Sequence, residues 1–444
     1  MRLPRLPHGQ LLQNPEALEG LRRDESHLVG LPPLALARPA HPDDLRELVR
    51  WAEGEGGALV PRGAGTGKAG GCLPGPGTVV VDLSAWPGQP EVDPRGPHLR
   101  APAGCLLRDV KAAAEAAGLF YPPDPNSWDQ CGFGGSLATN AGGPGACKYG
   151  MTRAWVLSLE ALMADGEVHR FGIGTVKQNS GPALAQLLVG SEGIFGLIVA
   201  ATVRLIPEPR ERLTLLLPVA NWQGLLDLPV ALVTAGLLPA AFEFWDPAVL
   251  ELLRRHGPEE ARRLPGEALA LLEFDDPGCT SDPFLNRVLE ALGPAGEHLQ
   301  SATETRQREA LWAVRRQTSV VLKERFPRKV SEDIVVPRTA LRAFYQGVAQ
   351  RGLPLVSYGH LGDGNLHVNF LAAGETEPGV LEGQVMDLFR LCMDLGGGLT
   401  GEHGIGLAKR PAFLGLADPY QIETLRSLKR ALDPKGIFNP GKVI

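Results

Sequence analysis

The chain has 444 residues, more than a single hydrophobic core usually supports, so the sequence predicts at least two domains. Hydrophobic residues make up 44% of the chain and charged residues 21%, which is typical of a globular protein. The formal net charge is −6 and the sequence has no long basic stretch, which argues against nucleic acid as a partner.

The N-terminal part alternates short β-rich runs with glycine and proline turns. Apolar residues spaced as one helical face predict a helix at 43–53, and an alanine-rich run predicts another at 107–117. Strands are predicted at 58–61, 78–83 and 98–101. The pattern lacks regular βαβ repeats and therefore predicts an α+β fold.

A charged, proline-containing segment at 206–213 (IPEPRERL) indicates a junction between two domains. Beyond it, longer helices alternate with strands, the helices at 247–255 and 304–323 and the strands at 268–274 and 334–337. We therefore expect two domains that meet at this segment.

Six cysteines are scattered along the chain with no C-x-x-C spacing, so neither an iron–sulfur cluster nor a zinc ribbon is predicted. Scattered cysteines fit a reducing compartment. The start of the chain lacks the apolar core of a signal peptide, and the most apolar stretch, 228–242, is interrupted by Pro229 and Pro239. We therefore expect a cytoplasmic protein, with any attachment to a membrane being peripheral and made through a partner.

Segment 61–71 reads PRGAGTGKAGG, and its five glycines let backbone amides approach an anion closely. It is not a Walker A loop, because Arg62 and Ala69 stand where glycine and serine or threonine are required. Nor is it a Rossmann fingerprint, because the following GCLPGPG cannot begin a helix. The segment indicates a loop that cradles a pyrophosphate, with a plain glycine turn as the alternative.

Two further clusters of small residues follow, CGFGGSLATNAGGPGACKYG at 131–150 and LVGSEGIFGLI at 188–198. So many small residues leave little side chain for building a core. Together the three clusters suggest backbone wrapped closely around a flat ligand.

Segment 356–370 (VSYGHLGDGNLHVNF) predicts a hairpin with Asp363-Gly364 as a two-residue turn. Counting outward places His360 directly opposite His367, close enough to share a metal ion, with Asn369 on the same face. A carboxylate is the usual third ligand, and Glu402 is the candidate. The alternative is two ordinary strand histidines. Zn²⁺, Mn²⁺ and Fe²⁺ suit these ligands equally well.

Six motifs in a fixed order resemble a known superfamily over roughly residues 36–444. The first three resemble the flavin domain of the vanillyl-alcohol-oxidase/p-cresol-methylhydroxylase (VAO/PCMH) superfamily: PRGAGTGKAGG, PPDPNSWDQCGFGGSLATNAGGPGACKYGMT and VGSEGIFGLI. The others resemble its glycolate oxidase catalytic subunit and D-lactate/D-2-hydroxyglutarate dehydrogenase branch: GHLGDGNLHVNF, GGGLTGEHGIG and LDPKGIFNPGK. The resemblance implies an FAD-binding PCMH-type first domain at 1–206, completed by 401–444. It also implies a substrate (cap) domain at 207–400 of the FAD-linked oxidase C-terminal type, with an antiparallel sheet covered by helices.

The same resemblance implies which residues bind FAD. Those at the pyrophosphate would be Arg62, Gly63, Gly65, Thr66 and Gly67. Those along the rest of the cofactor would be Ser136, Asn140, Gly142, Gly143, Glu192, Gly193, Ile198 and Asn439. Members with covalent flavin carry a histidine in the first loop, and this loop has none, so the FAD should be non-covalent.

The resemblance also implies catalytic roles. It points to Glu402 as the metal ligand and to His403 as the base that removes the hydroxyl proton, a role suited to histidine. It points to Arg315 as the anchor of the substrate carboxylate, and Ser319, one helical turn later, would add a hydroxyl. Lys329 lies near a second family cation, with a surface lysine as the alternative.

These likenesses imply oxidation of a small 2-hydroxy acid, namely D-lactate, glycolate or D-2-hydroxyglutarate, to the 2-oxo acid. Hydride would pass to FAD while a divalent metal assists deprotonation. The electron acceptor would be a quinone, an electron-transfer flavoprotein, a cytochrome or an iron–sulfur subunit, and the chain would form a homodimer or part of a multi-subunit oxidase. A non-catalytic flavin subunit and a redox-neutral flavin synthase are the competing interpretations.

Overall fold

The computed structural model describes residues 2–257, 259–374 and 376–444, and the chain divides into two compact units. The first unit comprises Met1–Gly142, Gly150–Glu208 and Glu402–Ile444, and the second comprises Gly143–Tyr149 and Pro209–Gly401. Segment 143–149, which the sequence grouped with the first domain, belongs to the second unit. The predicted two-domain α+β architecture is confirmed.

The strands of the first unit are β1 (Gln10–Leu12), β2 (Ala35–Arg38), β3 (Ala58–Arg62), β4 (Thr78–Asp82), β5 (Glu91–Val92), β6 (His98–Pro102), β7 (Leu119–Phe120), β8 (Val156–Leu162), β9 (Val168–Gly172), β10 (Leu197–Arg204) and β11 (Ile206–Pro207). One sheet has the order β1-β2-β4-β3, in which β4 is parallel to both β2 and β3. A second, antiparallel sheet has the order β5-β6-β10-β8-β9, and β7 pairs with β11.

The strands of the second unit are β12 (Leu213–Val219), β13 (Ala241–Trp245), β14 (Ala268–Phe274), β15 (Gln300–Ala302), β16 (Val330–Val335), β17 (Val356–His360) and β18 (Asn365–Phe370). They form one antiparallel sheet with the order β15-β12-β14-β13-β17-β18-β16. This confirms the antiparallel sheet predicted for the second domain.

The helices are, in chain order, α1 (Pro15–Glu19), α2 (Pro42–Glu55), α3 (Leu107–Ala116), α4 (Phe133–Ala138), α5 (Ala146–Tyr149), α6 (Leu184–Leu188), α7 (Trp222–Leu225), α8 (Leu228–Thr234), α9 (Pro247–His256), α10 (Glu259–Arg262), α11 (Asp282–Leu292), α12 (Thr305–Arg325), α13 (Leu341–Gln350), α14 (Pro378–Asp394), α15 (Arg410–Leu416) and α16 (Pro419–Leu432). The helices predicted at 43–53, 107–117, 247–255 and 304–323 are confirmed as α2, α3, α9 and α12.

Helix α12 lies against the second-unit sheet through polar side chains as well as apolar ones. Trp312 Nε1 donates to Glu273 Oε2 at 2.9 Å, and Trp245 Nε1 donates to Thr318 Oγ1 at 2.6 Å. Val314 and Leu322 pack into the apolar cluster beside these bonds. The directional bonds fix the rotation of α12 and therefore the position of every side chain on its buried side.

The strand predictions differ in one place. The strand predicted at 334–337 is β16, which begins at Val330 and ends at Val335, before Pro337. A proline has no N–H to donate to a neighbouring strand, so the strand stops short of it. The earlier start brings Ser331 and Asp333 into the sheet.

Candidate functional site

The first glycine-rich loop begins where β3 ends, and Gly63, Gly65, Thr66 and Gly67 all lie in it. Gly65 adopts φ +75°, a conformation that glycine reaches without strain. The guanidinium of Arg62 donates to the carbonyl oxygens of Leu21 at 3.1 Å and Arg23 at 2.9 Å. In this structure Arg62 therefore ties the loop to segment 21–23.

Three of the non-glycine candidates for FAD binding have left-handed backbone conformations. Their φ values are +51° at Asn140, +52° at Glu192 and +40° at Asn439. Such conformations are costly outside glycine and persist where the surrounding structure demands them, commonly at ligand sites. Gly193, the next residue after Glu192, also has a positive φ of +77°.

The buried carboxylate of Glu192 joins three glycine-rich motifs. It accepts hydrogen bonds from the backbone amides of Ile405 at 2.7 Å and Gly406 at 3.1 Å. A Cβ added at Gly71 or at Gly404 would lie 2.9 Å from one of its oxygens, so a side chain at either position would have to displace the carboxylate. Burial raises the pKa of Glu192, and the two amides offset only part of that effect.

Asn439 provides the best test of whether the first unit fits FAD. Its Nδ2 donates to the carbonyl oxygens of Gly71 at 2.9 Å and Glu192 at 2.6 Å. Its Oδ1 is buried and accepts no hydrogen bond from any described residue. An unsatisfied buried acceptor beside strained backbone and open glycine loops fits a bound ligand that carries N–H or O–H donors, as FAD does.

The remaining candidates of the second and third glycine-rich clusters differ in what they can offer. Ser136 is buried and its hydroxyl donates to the Phe133 carbonyl oxygen at 2.8 Å, while Ile198 is buried in β10. Gly142 matters for another reason, because a Cβ there would lie 3.3 Å from Glu402 Oε2. Gly143, the next residue, belongs to the second unit.

Glu402 and His403 are neighbours in space as well as in sequence. His403 Nε2 lies 3.6 Å from Glu402 Oε1, and their side chains are 25% and 12% exposed. The amides held by Glu192 are those of Ile405 and Gly406, immediately after His403. The buried carboxylate of Glu192 therefore fixes the backbone that carries His403.

The predicted register of the hairpin is wrong by two residues. The turn contains residues 361–364, so His360 pairs with Asn365 and His367 pairs with Tyr358. Gly362 packs where a Cβ would lie 2.5 Å from Cys147 Sγ, a tertiary contact that the turn sequence does not reveal. A shift of two residues keeps every side chain on its face, and the two imidazole rings still lie 5.0 Å apart, nearly perpendicular.

Strand pairing gathers polar side chains on one face of the second-unit sheet. Paired residues and alternate residues along a strand share a face, which follows from the pairs Glu243–His360, Tyr358–His367, Asp333–His367, His360–Asn365 and Ser331–Asn369. Most of these side chains are buried, and Glu243 and Asp333 have no exposed surface. A row of buried charges on strands is costly unless each is paired, and such rows mark functional sites.

Two carboxylates that sequence reasoning missed accompany the two histidines. His360 Nδ1 lies 2.5 Å from Glu243 Oε1, and His367 Nδ1 lies 3.4 Å from Asp333 Oδ1. Burial alone would raise the pKa of Glu243, but His360 and Arg315 beside it outweigh burial and hold that pKa below its usual value. For Glu243 the available signal was a single acid inside an otherwise apolar strand, AFEFW, whereas Asp333 lies beside Glu332 in VSEDIV and does not stand out.

Arg315 lies on the buried side of α12, where its Nε donates to Glu243 and its guanidinium lies 5.0 Å from the centre of the Tyr358 ring. Ser319 is exposed instead, and its hydroxyl donates to the Arg316 carbonyl oxygen at 3.4 Å. The structure thus places Arg315, but not Ser319, beside the sheet face.

Lys329 lies beside Asn369. Its Nζ donates to Asn369 Oδ1 at 2.9 Å and also contacts Ser331, whose hydroxyl donates to the same oxygen at 2.7 Å. Lys329 is therefore linked to a candidate residue of the sheet face, which favours a role at the site over that of a solvated surface lysine.

The second-unit face also suits a metal ion. A histidine that gives Nδ1 to a carboxylate would present Nε2 to a metal, and metal-binding histidines commonly have such a carboxylate partner. Both His360 and His367 have one. Asp333 in addition accepts from Asn365 Nδ2 at 2.6 Å and from the Gly401 amide at 3.0 Å, so its position is fixed.

Among the helices of the described residues, none combines the length and the apolar character needed to cross a membrane.

Comparison with known proteins agrees with this architecture. Residues 208–443 match the family described as FAD linked oxidases, C-terminal domain, and residues 33–172 match the FAD binding domain. The chain is 31% identical to glycolate oxidase subunit GlcD of Bacillus subtilis, an alignment covering 93% of this chain and 89% of that protein. It is 32% identical to the D-lactate dehydrogenase of Archaeoglobus fulgidus, covering 92% and 91%.

The chain is also 31% identical to the D-2-hydroxyglutarate dehydrogenase of Xanthomonas citri pv. viticola, covering 99% of this chain and 95% of that protein. Among solved structures, an alkyldihydroxyacetonephosphate synthase has the same fold, with a TM-score of 0.69, 17% identity and coverage of 97% of this chain and 83% of that one. The protein therefore belongs to the FAD-linked oxidase family of VAO/PCMH-type flavoproteins, and it is an FAD-linked oxidoreductase.

Proposed function

We propose that this enzyme oxidises a small 2-hydroxy acid to the 2-oxo acid with the help of a divalent metal. The observation that carries the proposal is the buried sheet face on which two histidines, each with a carboxylate partner, lie near an arginine. The names of the relatives add support, because glycolate, D-lactate and D-2-hydroxyglutarate are all 2-hydroxy acids.

His360, His367 and Glu402 would hold the metal. Glu402 directly follows Gly401, whose amide donates to the carboxylate that accompanies His367, and this chain connection supports the assignment. Bound FAD would supply the hydride acceptor, and a bound metal would lower the pKa of the substrate hydroxyl.

The protein's own residues would bind the acid and move its proton. His403 takes the hydroxyl proton, a role supported by its partial exposure and by the firm hold on the backbone after it. Arg315 binds the substrate carboxylate with its planar donors, and Lys329 with Asn369 supplies a second polar contact.

FAD is proposed to be non-covalent, because segment 61–71 contains no histidine. Acid or heat should then release intact FAD from the precipitated protein. Electrons would leave through a separate acceptor: a quinone, an electron-transfer flavoprotein, a cytochrome or an iron–sulfur subunit. The word subunit in the GlcD relative's name supports a partner chain.

The deciding experiment is anaerobic mixing of the enzyme with glycolate, D-lactate and D-2-hydroxyglutarate while flavin absorbance is followed. We expect at least one acid to bleach the flavin, and we expect a chelator to abolish bleaching while the flavin stays bound. Flavin that remains oxidised with every acid would overturn the proposal and favour a redox-neutral or non-catalytic member of the family.

A further inference from the structure

We propose that Glu243 is a positioning residue that orients His360 and Arg315 at once. The inference deepens the proposed function, since it concerns the metal ligand and the carboxylate anchor of the same site. One buried carboxylate would then set the geometry of two groups with different tasks.

The strand register places Glu243 directly opposite His360, on β13 and β17. Glu243 has no exposed surface, and its Oε1 lies 2.5 Å from His360 Nδ1. A carboxylate in this position accepts a hydrogen bond from the Nδ1–H group, so the neutral imidazole carries its lone pair on Nε2. That is the tautomer a metal requires, and the bond also fixes the orientation of the ring.

The second oxygen of the same carboxylate accepts from Arg315 Nε on helix α12. Because the guanidinium is planar, one bond to Nε and the nearby Tyr358 ring, 5.0 Å away, together restrict the plane of the whole group. The plane decides whether the other donors can meet a substrate carboxylate in a bidentate manner.

A second buried glutamate shows what a structural carboxylate looks like on this face. Glu273 accepts from Thr214 at 2.7 Å, Arg308 at 3.0 Å and Trp312 at 2.9 Å, and none of these is a candidate site residue. Glu273 therefore anchors α12 to the sheet. Glu243 differs because both of its partners are candidate site residues, and this makes Glu273 a matched control.

The test is a calorimetric titration of the FAD-loaded protein with Mn²⁺ and, separately, Zn²⁺. Glu243→Gln keeps the shape but removes the charge, and we expect metal affinity to fall by about 10- to 100-fold with flavin content unchanged. The KM for the substrate acid should rise as well, because Arg315 loses its orienting partner. Glu273→Gln should lower the melting temperature and leave metal affinity as in the wild type.

A double variant separates positioning from general damage. In a His360→Ala background, Glu243→Gln should weaken metal binding no further, because Glu243 acts through His360. If Glu243→Gln does not fold, Glu243→Asp keeps the charge but shortens the reach, and its metal affinity should also fall.

The two proposals fail differently. A wild-type protein that binds no metal and is not bleached by 2-hydroxy acids would overturn the proposed function. A wild-type protein that does both, alongside a Glu243 variant with the same metal affinity and KM, would overturn the inference alone.

Discussion

In the first unit several candidate FAD-binding residues lie where the backbone has positive φ values, whereas in the second unit the two candidate metal-binding histidines and their carboxylate partners lie on regular strands. Asn140, Glu192 and Asn439 have positive φ values, so their contribution to the candidate cofactor site is the shape of the main chain. The pairs Glu243–His360 and Asp333–His367 instead have ordinary strand backbone and contribute charge. The difference teaches that one enzyme uses main-chain shape to hold a large flat cofactor and side-chain chemistry to act on a small acid.

If that comparison is right, substitutions in the two regions should have separate effects. Those in the first unit should lower FAD content, and those on the sheet face of the second unit should lower metal binding and turnover. The largest effect is expected for His367→Ala, which removes a proposed metal ligand from the second unit. Loss of metal assistance is worth several kcal/mol, so turnover should fall by about a thousandfold, while flavin content stays at the wild-type level. Metal analysis and steady-state kinetics on the same preparation would check this.

His169→Ala is the matched control, since His169 is exposed and also has an acidic partner, Asp165, at 2.7 Å. It should change neither metal content nor turnover. A His367→Ala enzyme with normal turnover would show that metal assistance is not part of the mechanism.

The next effect comes from crowding the first unit. Gly406 has φ +50°, and a Cβ there would lie 2.0 Å from the Ala69 carbonyl oxygen. Gly406→Ala must therefore displace backbone, at a cost of about 3 kcal/mol, and FAD content should fall. Flavin absorbance per mole of protein, with the melting temperature, measures both consequences.

Gly415→Ala provides the comparison within the same unit. Gly415 lies in α15 with no atom within 4 Å of an added Cβ, so alanine should raise helix stability by up to about 1 kcal/mol. Full FAD occupancy in Gly406→Ala would contradict the view that backbone packing shapes the flavin site.

The two regions also differ in how well their candidate sites could be predicted from the sequence. The glycine clusters can be recognised in the sequence because glycine allows the backbone to approach a ligand closely and because each motif is a contiguous run of residues. The strand at 268–274 was predicted to the residue, because its apolar run is interrupted only by Glu273. Neither Glu192 joining three motifs nor Asn439 bridging two was visible, because both depend on residues far apart in the chain.

In the second unit, it was predicted correctly that His360, His367 and Asn369 share one face of the sheet, but the predicted strand pairing was wrong. The two-residue turn was a reasonable expectation for Asp-Gly, yet packing around Gly362 favours a four-residue turn. The candidates survived the error because side chains alternate with a period of two. Glu243 and Asp333 were missed because strand order, which sets their neighbours, cannot be read from spacing along the chain.

A smaller effect is expected for a change at Arg315, which leaves the proposed metal ligands of the second unit intact. Arg315→Lys keeps the charge beside Glu243 but removes the planar set of donors. Catalytic efficiency should fall at least about tenfold, equivalent to roughly 1.4 kcal/mol, with FAD and metal content unchanged. Kinetics equal to the wild type would mean that the substrate carboxylate binds elsewhere.

The smallest effect is expected at Asp246. It tests whether a buried charge of the second unit also makes the stability of the protein depend on pH. Asp246 is buried at the N-terminus of α9, where it accepts from the Val249 amide at 2.8 Å and the Ser357 hydroxyl at 3.0 Å. Burial raises the pKa of Asp246 from 3.8 to about 6, and these bonds offset only part of the rise. The folded state thus holds the proton more tightly than the unfolded state, so this contribution to stability is complete below about pH 4 and is lost as the pH rises through about 6.

Asp246→Asn cannot ionise and should remove that pH dependence. The shift from 3.8 to about 6 limits the effect to at most about 3 kcal/mol. At low pH the variant should melt below the wild type, because asparagine replaces one of the two carboxyl oxygens that accept from Val249 and Ser357 with an NH2 donor. The gap should narrow as the pH rises from 4 to 7. Asp418→Asn, at the exposed N-terminus of α16, controls for placing an amide at a helix start. Melting curves across that range decide the matter, since a gap that stays constant or widens would mean that Asp246 is already ionised in the folded protein at low pH.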